Sequence, residues 1–145
     1  MYFWRIEKLK KSLSENKPSK KDVFCYYLGL TILTVIFLNL PIETFSNISY
    51  RWIEWGVMII SSLVSLIGSY IANGGSNGVD FFERFFSIFF VLNIRYSVFT
   101  FLAVILIAII SGGIDYEKNT LIISTLFCFL MSYKGITHIN EVSSS

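Results

Sequence analysis

Residues 55–72 read WGVMIISSLVSLIGSYIA, and residues 73–78 read NGGSNG. A helix crossing about 30 Å of hydrocarbon needs about 20 apolar residues, and the first stretch comes close to that without one charge. The second stretch is concentrated turn chemistry. A membrane span ending in a glycine-rich loop is the reading from which the rest follows. Runs 23–42, 96–112 and 119–138 have the same apolar character. Ser19 and Asp22 stand at capping-box spacing ahead of the first run, and Pro41 marks its stop. Gly112-Gly113 closes the run at 96–112, and Lys134 reaches from the last run toward the interface. The expectation is an all-α, polytopic integral membrane protein built as a four-transmembrane-helix bundle. Its spans at about 23–42, 55–72, 96–112 and 119–138 form one membrane domain, 23–139. A basic amphipathic cytoplasmic segment, 1–22, precedes it, and a frayed tail, 140–145, follows.

The composition agrees. Of 145 residues, 54% are hydrophobic and only 15% are charged, and the mean hydropathy is +0.62. An ordinary soluble domain has about 25% charged residues. A disordered chain is excluded, because it needs low hydrophobicity and high charge. A soluble enzyme of this size is disfavoured, because it could not hide so much apolar surface.

Charge is distributed unevenly. Seven of the twelve Lys and Arg residues fall within 1–22: Arg5, Lys8, Lys10, Lys11, Lys17, Lys20 and Lys21. Against Glu7, Glu15 and Asp22 this leaves +4, so the other 123 residues carry −2. Four spans with the N-terminus inside place ten Lys and Arg in the cytoplasm and two, Arg51 and Lys118, outside. That is a positive-inside bias. Both termini and residues 73–95 are then cytoplasmic, in a plasma or inner membrane. The lysines lie within reach of an anionic leaflet, so the lipid bilayer, and no nucleic acid, is the implied partner. The long polar start and the lack of a small-x-small cleavage pattern read as a retained signal anchor.

Two further segments look helical without spanning. Residues 2–13 align Phe3, Ile6, Leu9 and Leu13 in one stripe among lysines, which suits a helix lying on the membrane surface. Residues 80–94 carry six phenylalanines, with Asp80, Glu83, Arg84 and Ser87 on one face. The expectation is a Phe-rich helix at the cytoplasmic interface, or an extension of the third span.

The partner-binding candidates are Asn73, Gly74, Gly75, Asp80, Glu83, Arg84 and Arg95, where a glycine turn meets acids and a base at a helix start. A second candidate is the small-residue seam of Ser61, Ser65 and Ser69 with Gly68 and Ala72. Such seams let helices approach closely in lipid, or let hydroxyls line a path. Cys25 and Cys128 read as small buried hydrophobes, with no CxxC pattern. His138 is the single histidine, so neither a metal site nor a cofactor is implied.

No Asp, Glu, Lys or Arg falls in the centre of these spans, where coupled transporters commonly carry one. The sequence therefore points to a non-enzymatic small membrane protein that binds a membrane partner, as an immunity-, accessory- or regulatory-type protein does. That partner is another membrane protein or a second copy of the chain. The alternative is an oligomeric pore lined by the serines of the second span. No catalytic residue is assigned. A reporter fused to the C-terminus should be active only when cytoplasmic; an external location would refute the four-span arrangement.

Overall fold

The computed structural model describes residues 5–15, 19–39, 48–111 and 116–144. Its helices are α1 (Ile6–Ser14), α2 (Lys20–Asn39), α3 (Ile48–Ala72), α4 (Phe81–Ser111) and α5 (Tyr116–Ser143). A short 3-10 turn, Gly75–Asn77, joins α3 to α4. Three helices are long and apolar enough to cross a membrane: Ser49–Ala72, Phe81–Ile107 and Glu117–Ser143. The chain is therefore an all-helical membrane protein, without strands among the described residues. Phe3, Pro18, Pro41 and Gly112-Gly113 lie outside the described residues.

Helix α4 organises the fold. Between Phe81 and Ser111 there is neither glycine nor proline, so nothing in the backbone interrupts the helix. It runs unbroken for 31 residues, about 46 Å at 1.5 Å per residue. The Phe-rich segment is thus the first part of a long helix and not a separate interfacial one. Six consecutive residues, Ser87 to Leu92, are buried. Six residues cover every direction around a helix, so α4 is enclosed on all sides at this level. α1, α2 and α5 supply the walls.

The longer helices lie in a row, in the order α3, α5, α4, α2, with neighbours in extensive contact. Each junction contains a glycine that receives a large side chain. A Cβ on Gly68 of α3 would lie 2.5 Å from Ile136 Cδ1 of α5. A Cβ on Gly135 of α5 would collide with the Phe89 ring of α4, and one on Gly29 of α2 with the Phe90 ring. Tyr26 of α2 adds a tilted ring contact to Phe90 at 5.6 Å. At the start of α2, the Ser19 hydroxyl accepts from the Asp22 amide at 3.1 Å and donates to its carboxylate at 3.0 Å. That arrangement is the N-terminal cap read from the sequence.

Helix α1 shows why an amphipathic pattern need not mean lipid. Ile6, Leu9 and Leu13 form the expected stripe, but they are buried in one cluster with α4 and with Ile139 and Val142 of α5. Lys8 and Lys11 face outward. Lys10 pairs with Glu141 at 2.7 Å and Glu7 at 2.8 Å. Apolar burial is worth about 1.5–3 kcal/mol per large side chain whichever surface supplies it, and here the protein does. The tail expected to fray is helical through Ser143 for the same reason: Val142 is buried beneath α1, and Glu141 binds Lys10.

The glycine junctions generate a prediction. Gly135→Leu should destabilise the protein by about 1–3 kcal/mol through overpacking. Gly56, with nothing within 4 Å of its virtual Cβ, should accept Leu with little loss. Thermal unfolding of the two variants in lipid nanodiscs checks this; equal stability would refute the interlocked row.

Candidate functional site

The seam residues of α3 face α5. Ser61, Ser65 and Ser69 repeat every four residues, so they share one side of the helix, and all three are buried. Ser65 Oγ donates to Ser132 Oγ at 2.7 Å. The Ser132 hydroxyl lies within reach of the Cys128 carbonyl, at 2.8 Å, and of the Ser61 carbonyl, at 3.2 Å. Gly68 admits Ile136. At the end of the seam, Ser143 Oγ donates to the Ala72 carbonyl at 2.7 Å, satisfying one of the acceptors that a helix end leaves free. The α5 half of this seam was readable too: Ser124, Cys128 and Ser132 repeat every four residues.

The turn is built around Asn73, which is buried. Its Nδ2 donates to the Val79 carbonyl at 3.2 Å, and its Oδ1 accepts from Arg84 Nη1 at 3.0 Å. One side chain thus ties the end of α3 to both the loop and the start of α4. Gly74 has φ +97°, a left-handed conformation that costs glycine little. Asp80, with φ +52°, is the described non-glycine residue with positive φ, and aspartate tolerates that region better than most. Its carbonyl accepts the Arg84 amide at 3.1 Å.

Among the sequence candidates, the structure brings Asn73 and Arg84 together. Asp80 is exposed and Glu83 half-buried, and neither forms an ion pair with Arg84 among the described residues. Arg95 stands apart from the turn. The continuous helix places it near the middle of the Phe81–Ile107 segment, about 21 Å from the start of α4. The run at 96–112 was cut at this charge, whereas a charge does not end a helix.

The α1 clamp was not visible in the sequence, because it joins residues at the two ends of the chain. His138 Nδ1 lies 3.1 Å from the same Glu141 carboxylate. Partial burial acts to lower the Lys10 pKa, but the hydrogen bonds and charges of Glu141 and Glu7 outweigh it and hold it above its ordinary value. The clamp's contribution is therefore present at neutral pH and is lost as pH rises through that raised pKa.

Cys25 and Cys128 are free thiols. No group of three or more His, Cys, Asp or Glu side chains able to hold a metal occurs among the described residues. No protein-family model, curated protein or solved structure matches this chain. The geometry assembles polar groups for holding helices together, through Ser65–Ser132 and Asn73–Arg84.

A double-mutant cycle over Ser65→Ala and Ser132→Ala should give a coupling of about 0.6–1.7 kcal/mol, the span for hydrogen bonds between membrane helices. Additive effects on unfolding would refute the direct bond.

Proposed function

We propose that the chain is a non-enzymatic, four-span protein of the plasma or inner membrane that binds a membrane partner through the outer face of α3. Helix α2 supplies the fourth span. From Val23 to Asn39 it carries no charge and covers about 26 Å at the helical rise. An even number of crossings puts both ends on one side, and the Lys10–Glu141 contact at 2.7 Å joins those two ends. The surplus of Lys and Arg there favours the cytoplasm.

The open row of helices carries the binding reading. α3 sits at one end of the row and packs on α5 through its serine face. Its opposite face presents Trp52, Ile59, Ile60, Leu63, Ile67 and Ile71, all exposed. A partner helix laid along that face would continue the row, as an immunity-, accessory- or regulatory-type subunit does. The partner is a different membrane protein or a second copy. The pore alternative gains no support from the geometry, since Ser61, Ser65 and Ser69 are turned onto α5.

Photo-reactive side chains at Ile60 and Ile67 in native membranes should give one discrete protein adduct. Co-expression of two differently tagged chains distinguishes a second copy from another protein. Adducts with lipid alone at both positions would refute the reading.

A further inference from the structure

The junctions between the long helices share one device, a glycine that receives a large side chain. Among the described residues, four glycines lie within helices: Gly29, Gly56, Gly68 and Gly135. Gly29 meets Phe90, Gly68 meets Ile136 and Gly135 meets Phe89. Gly56 meets nothing within 4 Å of the place a Cβ would take. A glycine inside a helix costs stability relative to alanine. At the other three positions a close interhelical contact offsets that cost, and at Gly56 the single chain supplies none.

The surroundings of Gly56 form a hole. Ser65 is nine residues further on, about two and a half turns, so Gly56 points away from the face that α3 turns to α5. Its neighbours on the helix surface stand three and four residues away. They are Trp52, Ile53, Ile59 and Ile60, each at least half exposed. Leu63, two turns on, is exposed as well. Four large side chains thus ring a glycine floor, the shape that takes a side chain from a facing helix. The charges of this part of α3 lie elsewhere. Glu54 is seven residues before Ser61 and therefore on the serine side, and Arg51 is three before Glu54. The outer face is uncharged from Trp52 to Ala72.

We propose that Gly56 is the crossing point of a two-fold symmetric dimer of this chain, with α3 packed on α3. The inference rests on the reading of the outer face of α3 as a partner-binding surface, and it names the partner. Two copies inserted in the same orientation bring Gly56 to the same depth, beside the symmetry axis. There the missing side chains let the two backbones approach closely, which is what drives helix association in lipid. The rim of each hole then packs against the rim of the other. A two-fold interface requires one patch that complements itself. A glycine floor and large flanking side chains on one uncharged face meet that requirement, since no like charges are opposed. Stacking of α3 on the α2 end of a neighbour would extend into an open row instead, and stoichiometry separates the two arrangements.

The test uses the full chain, tagged at its C-terminus with donor or acceptor fluorophores, in liposomes of phosphatidylethanolamine and phosphatidylglycerol. Energy transfer should fall on dilution with lipid along a monomer–dimer curve, and single-particle photobleaching should give two steps at most. Gly56→Leu should weaken pairing at least about tenfold by overfilling the contact. Its Tm in nanodiscs holding one chain should match that of the native chain, which separates lost pairing from lost folding. Absence of dilution-dependent transfer, undiminished pairing of Gly56→Leu, or particles of more than two copies would each overturn the dimer. The binding reading fails separately. Photo-adducts with lipid alone at Ile60 and Ile67 would end it, whereas adducts with a different protein, without energy transfer, would keep it and remove the dimer.

Discussion

The arrangement rests on the enclosure of α4 between Ser87 and Leu92. In lipid, apolar side chains gain little by leaving the solvent, so helix association depends on close packing and interhelical hydrogen bonds. Phe89 and Phe90 provide that packing because α5 and α2 each present a glycine where the ring arrives. Ile136 repeats the device against Gly68 of α3. Three knobs and three glycines set the order of the row, and α1 closes the collar with Ile6, Leu9 and Leu13.

Polar groups follow the same economy. A hydroxyl or amide facing hydrocarbon must find a partner inside the protein. Ser65 and Ser132 find each other, Ser143 finds the last carbonyl of α3, and Asn73 joins Val79 to Arg84. The side chains most suggestive of function in the linear sequence are largely occupied in this way. Among the described residues, the Ser69, Ser87 and Thr120 hydroxyls and Arg84 Nε are buried without a hydrogen-bond partner.

Much was legible beforehand. Hydropathy located the apolar cores of the helices. NGGSNG located the α3–α4 turn, and Ser19 with Asp22 located the start of α2. The every-fourth-residue serines identified the packing face of α3, though α5 carried an equally clear stripe. Whether residues 80–110 form one helix or two was left open by the sequence; the structure shows one, Phe81–Ser111, because helix termination needs glycine, proline or a competing cap and a charge such as Arg95 supplies none of these. The stripe on α1 was legible as apolar, but the surface that covers it was not. Lipid and protein satisfy the same pattern equally well.

By itself, the sequence determined that the chain is helical, that its long helices suit a bilayer, and where its main turn lies. These properties follow from composition and local periodicity, which act over one to a few helical turns. Only the tertiary structure decided that α5 lies between α3 and α4, that α1 docks on protein, and that Lys10 meets Glu141. It also decided that Arg84 is buried beside Asn73 with its charge unpaired. Each of these depends on which glycine faces which large side chain across a helix junction. That complementarity joins residues far apart in the chain and leaves no periodic trace along it.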